Sequence, residues 1–122
     1  MQLFKAFKTT ALINGLTKDV VISIETDHDE ADLSHMESDE RAKTERRLER
    51  GQLDCVWVKV TARFSELSHF EGTDSLGQVF VSSPKDLEDT VSEYDMSQNA
   101  IADLVAQTLQ GVESIQTFLK GA

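Results

Sequence analysis

Cysteine, proline and aromatic residues are scarce in this sequence. Its 122 residues include one Cys, one Pro, one Trp and one Tyr. A lone Cys55 excludes an intrachain disulfide and a zinc cage built from several thiolates. No run approaches the ~20 consecutive apolar residues that span a bilayer, so no membrane segment is expected. Met1 to Leu12 carry Lys5 and Lys8 inside their apolar stretch, with no small-residue cleavage site after them. They do not read as a signal peptide, and a cytoplasmic protein is expected. No catalytic motif is recognisable either. A nucleophilic Ser or Cys needs a paired His and an orienting carboxylate, and His28, His35 and His69 lie in no such pattern. Asp74-Ser75, between Gly72 and Gly77, lacks the G-x-S-x-G order of a nucleophile turn. The sequence therefore implies no enzyme, no catalytic residue and no cofactor.

What the chain has in excess is negative charge. Asp and Glu number 22 against 12 Lys and Arg, a net charge of −10. The distribution is uneven: residues 1–24 sum to +2, residues 25–40 to −8, residues 41–50 to +3 and residues 51–122 to −7. An acidic belt abuts a short basic block, and a second acidic cluster follows near Asp86 to Asp95. Such a field repels nucleic acid and anionic membranes and attracts basic partners.

With 39% apolar and 28% charged residues, the chain has the composition of an ordinary globular protein. Its length suits one domain, residues 1–122. Residues 3–13 mix strand-like and helical spacing and are read as a strand. Asn14-Gly15 punctuates, and alternation through Val20, Ile22 and Ile24 predicts a second strand and an N-terminal hairpin. Glu25 to Glu40 reads as a polar loop. Ser34 and Glu37 fit a capping box opening a charged helix over 36–50, with Glu37/Arg41 and Asp39/Lys43 at ion-pair spacing and Gly51 as its stop. Over 53–64, Val56, Val58, Val60, Ala62 and Phe64 share one strand face, opposite Cys55, Trp57, Lys59, Thr61 and Arg63. Gly72 to Gly77 reads as a turn feeding a short strand over 78–82. Ser83 as N-cap and Pro84 at the first helical position open a short helix with Leu87, Val91 and Tyr94 on one face. A long helix then runs to about Lys120, with a seam of Ile101, Val105, Thr108, Val112, Ile115 and Leu119 suited to packing on a sheet.

Together these elements predict an α+β fold, an antiparallel sheet of three to four strands packed against a long C-terminal helix, with a peripheral charged helix. Two constellations invite function. The Asp/Glu/His loop 25–40 offers hard and borderline metal ligands, but it lacks the glycine and closing-residue spacing of a calcium loop, so it is assigned no metal. The basic block Arg41, Lys43, Arg46, Arg47 and Arg50 would grip phosphate in isolation, yet the net charge argues against direct nucleic-acid binding. It answers the neighbouring acidic loop, or an acidic cluster of a second subunit.

From Trp57 through Gly72-Thr73-Asp74-Ser75-Leu76-Gly77 to Glu93-Tyr94-Asp95, about a third of the chain resembles short accessory proteins encoded by phages and plasmids. These show a Trp-bearing strand, a Ser-Asp-Ser-Leu-type turn, a short strand and an acidic helix. Gln78 and the charged helix before the Trp strand depart from that pattern. The resemblance implies a genomic setting rather than a chemistry, and it favours counter-defence proteins of the anti-CRISPR or anti-restriction kind.

The functional expectation is a non-catalytic acidic interaction protein that inhibits or regulates a host protein by occupying its basic, nucleic-acid-binding surface, as a DNA mimic does. Asp27, Asp29, Glu30, Asp32, Asp86, Glu88, Asp89 and Glu93 would supply the charge, with Phe70 and Tyr94 as exposed anchors. The alternative is a self-associating assembly protein of a virus-like element, with a homodimer left open, and the third reading is a metal-dependent enzyme.

Overall fold

The computed structural model describes residues 1–121 and shows the expected α+β architecture. The elements are β1 (Gln2–Ile13), β2 (Leu16–His28), α1 (Ser38–Glu49), β3 (Asp54–Phe64), β4 (Gly72–Val81), α2 (Pro84–Glu93) and α3 (Met96–Leu119). The four strands form one antiparallel sheet in the order β1-β2-β3-β4. Such a meander needs only local connections. The first is the two-residue loop Asn14-Gly15, with φ of 50° and 77°. Positive φ at both central positions is what a type I′ turn demands, and Asn-Gly adopts it at least cost.

Strand alternation places Val20, Ile22 and Ile24 of β2 and Val58, Val60, Ala62 and Phe64 of β3 on one buried face. Leu87 and Val91 of α2 and Met96, Ala100 and Leu104 of α3 close the core over it. The start of α2 follows the sequence reading: the Ser83 Oγ accepts the Asp86 N–H (3.3 Å), and Pro84 stands where no backbone donor is needed. Helix α3 lies close against β4. The N–H of Thr73 donates to the Asp103 carboxylate (2.9 Å), and at Gly72 a Cβ would meet the backbone of Ala100 and Leu104.

Four expectations are corrected. Glu25–His28 belong to β2 rather than to a loop, because β3 continues alongside them as far as the His28–Val56 pair. Helix α1 starts at Ser38 after Glu37, with no side-chain cap, so Ser34 and Glu37 form no capping box. Gly72–Gly77 is strand, extended by pairing from Ala62 up to Val58 on β3, with a bulge between the Val79–Val56 and Leu76–Val58 pairs. Finally, the α3 stripe packs on the sheet only as far as Thr108, and Leu109, Val112, Ile115, Phe118 and Leu119 are exposed.

Helix α1 has no buried residue, as expected of a peripheral charged helix. It stops at Gly51 (φ 70°), where the N–H of Gln52 donates to the Arg47 carbonyl and that of Gly51 to the Leu48 carbonyl. This crossed pair is the Schellman arrangement. Among the described residues no helix is long and apolar enough to cross a membrane.

Candidate interaction surfaces

The fold brings the first acidic cluster and the start of the second, at Asp86, to one end of the molecule. The end of β2, the start of β3 and the end of β4 coincide there, through the pairs His28–Val56 and Asp54–Val81. Helix α2 begins three residues after Val81, so it starts at the same end and runs back over the helix-covered face.

In the first cluster several of the nominated carboxylates serve the fold. Asp29 accepts from both the backbone N–H (2.8 Å) and the side-chain Nε2 (3.1 Å) of Gln78. The same Nε2 donates to the Glu30 carbonyl (2.7 Å), and Gln78 Oε1 accepts the Asp32 N–H (2.7 Å). Gln78 sits at the β4 bulge with φ of 55°, and its side chain fastens residues 29–32 to the sheet. Sequence reasoning passed over it; its one signal was a polar residue beside Gly77, where a bulge is expected. Asp32 is held below the usual carboxylate range by Ser34, whose hydroxyl faces it and whose N–H donates to Oδ1 (3.0 Å). Asp27 Oδ1 accepts the neighbouring His28 N–H (2.9 Å). The side chains of Asp27, Glu30 and Asp32 remain exposed.

This loop also covers one end of the sheet's second face. Leu33, Leu53 and Cys55 are buried there, outside the main core. Burial, with the Asp29 carboxylate nearby, pushes the Cys55 thiol above its ordinary range, as suits an inert thiol. Arg41 braces the loop, donating to the carbonyls of Leu33, Ser34 and Met36. The ion pairs Glu37/Arg41 and Asp39/Lys43 do not form. Among the described residues the ion pairs are Lys5–Glu88 (3.2 Å) and Arg63–Glu71. The basic block therefore does not answer the acidic loop through ion pairs; its guanidinium at position 41 is spent on backbone carbonyls.

The second cluster divides in the same way. Asp86 caps α2 from within, accepting from the Ser82 hydroxyl (2.6 Å) and the Ser82 N–H (2.8 Å). These bonds, led by the hydroxyl, hold its carboxyl below the usual range. Glu88 reaches the Lys5 ammonium of β1. Asp89 and Glu93 are exposed one turn apart, beside Tyr94, which is 55% exposed. Tyr94 therefore lies outside the apolar face of Leu87 and Val91. Phe70 is no exposed anchor: it packs against the core, its ring edge over Gly111 of α3.

No group of three or more His, Cys, Asp or Glu gathers as a metal site among the described residues. The clefts are open grooves. One of about 410 Å³ lies between β1 and the α2–α3 junction, floored by Phe7, Ile24 and Val91, with Lys5 and Glu88 in its lining. Another of about 270 Å³ lies at the opposite end, among Ile13, Phe64, Leu67 and Thr108, with Lys18, Asp19 and Glu66 also in its lining. No family model, curated protein or solved structure matches the chain.

Proposed function

We propose that this protein is a non-catalytic acidic interaction protein, which inhibits or regulates a partner by occupying that partner's basic, nucleic-acid-binding surface in the cytoplasm. One observation carries the reading. Asp89 and Glu93 stand exposed at like-charge spacing, and α2 has no basic residue in its last turn. Like charges four residues apart weaken a helix, and a carboxylate at its C-terminal end opposes the helix dipole. The face is thus arranged against the helix's own stability, and a cationic partner offsets both effects. Tyr94 beside it supplies an amphipathic ring of the kind enriched at binding hot spots. Asp27 and Glu30 add negative charge at the end of the sheet from which α2 starts. The accessory role in a phage or plasmid that the sequence resemblance implies agrees with such an inhibitor.

The test is affinity capture from host lysate at low and high salt, followed by competition with duplex DNA for the captured protein. A variant carrying Asp89→Asn and Glu93→Gln runs beside the parent, leaving the Asp86 cap and the Lys5–Glu88 pair intact. The parent is expected to retain a basic protein at low salt, lose it at high salt and displace its DNA. Capture that is unchanged in the variant, or a captured protein that binds DNA equally well in its presence, refutes the reading. A second reading, self-association, draws support from a different feature, the exposed apolar end of α3.

A further inference from the structure

Helix α3 outruns the sheet. Its inner face packs through Ala100, Leu104 and Thr108. At 3.6 residues per turn that face continues as Gly111, Ile115 and Phe118, with Val112 and Leu119 at its margin. Beyond Thr108 there is no strand beneath it, because β1–β2 turn at Asn14-Gly15 and β3 ends at Phe64; the Phe70 ring covers Gly111, and the apolar side chains from Val112 onward are exposed. Phe118 is 82% and Leu119 75% exposed. The overhang is a helix surface built to be covered, in the same register as the part that is covered.

We propose that a second copy of this chain covers it, the two α3 ends crossing antiparallel about a two-fold axis near residue 113. Three observations select that occupant. Charge is the first: the segment 109–119 carries only Glu113, in a chain of net charge −10, and Glu113 falls on the outer side of the helix by the same periodicity. Two such chains repel one another least at this end, and antiparallel pairing sends their acidic ends to opposite extremes of the dimer. The second is shape. With the axis near residue 113, Phe118 of one copy lies opposite Thr108 of the other, where an open groove of about 270 Å³ runs between Ile13, Phe64, Leu67 and Thr108, with Lys18, Asp19 and Glu66 also in its lining. Its apolar side chains offer the phenyl ring a surface to pack on, and its charged ones can stay in water at the rim. The third is extent. Val112, Ile115, Phe118 and Leu119, with Leu16 and Leu67 at the end of the sheet, leave a run of large apolar side chains exposed, of the kind that makes the apolar centre of a homodimer interface.

In the pair, each overhang takes the place the sheet would have filled under the other, so one continuous two-layer body results. A two-fold arrangement uses the same patch twice and closes on itself, which limits assembly to a dimer. The assignment rests on the self-association reading and is independent of the acidic face.

The test uses the whole chain. Light scattering after size exclusion is expected to give twice the chain mass of 13.6 kDa, and Phe118→Asp is expected to halve it with an unchanged circular dichroism spectrum. Because Phe118 is almost free of intrachain contact, this variant keeps its monomer fold. Spin labels at Gln98, with Cys55→Ser as background, are expected about 45 Å apart along the paired helices, from the 1.5 Å rise per residue. A monomeric parent overturns both self-association and this surface. A dimer that Phe118→Asp leaves whole, or labels near the ~10 Å spacing of parallel neighbours, overturns this surface alone.

Discussion

The carboxylate of Asp29 is held by Gln78 through two hydrogen bonds, one from the backbone N–H at the β4 bulge and one from the side-chain amide. Residues 49 apart in sequence thereby fix the course of the loop that follows β2. Gln78→Gly keeps the left-handed backbone accessible and removes the side-chain bonds to Asp29, Glu30 and Asp32. We expect it to cost about 1 kcal/mol, the net worth of an exposed hydrogen-bonded group, and to speed amide exchange across residues 29–36. Unchanged exchange there would show that Arg41 alone secures the loop.

Gly72 is a packing requirement. A methyl group at this position meets backbone atoms of Ala100 and Leu104, which cannot rotate aside as a side chain would. Gly72→Ala is expected to destabilise by about 3 kcal/mol, the upper range of overpacking, measured by urea unfolding. Gly111 contrasts with it, since its close neighbour is the edge of the Phe70 ring. There, Gly111→Ala is expected to be rescued by Phe70→Leu, and additive costs in the double variant would refute the contact.

The Asp86 carboxyl titrates below its ordinary value of 3.8 because the Ser82 hydroxyl and N–H donate to it, and Asp32 does so through Ser34. A folded-state pKa below the unfolded one gives stability that is present above the unfolded value and lost as pH falls through the folded one. Melting temperature should therefore decline as pH drops below about 4. Asp86→Asn should flatten that decline, and an identical slope in the variant would remove the cap from the account.

If the acidic face of α2 is costly to the free protein, relieving it should stabilise. Glu93→Lys replaces an anion by a cation in the last helical turn, opposite Asp89 one turn earlier, and is expected to add about 0.5 kcal/mol. A loss of stability would mean that Glu93 has a favourable role in the free chain, and would weaken the case for a cationic partner.

Cys55 is 3% exposed, and its thiol is shifted upward by burial and by Asp29. The native protein is expected to resist a thiol-reactive dye at pH 8 and to react fully in denaturant. Rapid native labelling would mean that the loop over this end of the sheet opens readily.

Much of this architecture was legible in the chain because its causes are local. Alternation over Val56–Phe64 assigns the faces of β3, Asn14-Gly15 dictates a I′ hairpin, and Ser83-Pro84 starts a helix, each through the backbone chemistry of adjacent residues. Position along the fold was not legible. Gly72–Gly77 looks like a turn until α3 is laid against it, since a glycine that admits a helix backbone has the same sequence signature as one that bends a chain. The stripe of α3 has one periodicity from Ile101 to Leu119, and only the length of the strands beneath decides where it loses cover. The acidic residues show the same division. The sequence by itself determined that this is an acidic α+β domain. Tertiary structure decided that Asp29, Asp86 and Glu88 are tied to Gln78, Ser82 and Lys5 while Asp89 and Glu93 stay free, because hydrogen bonding across the fold depends on distance in space, which residue order does not record.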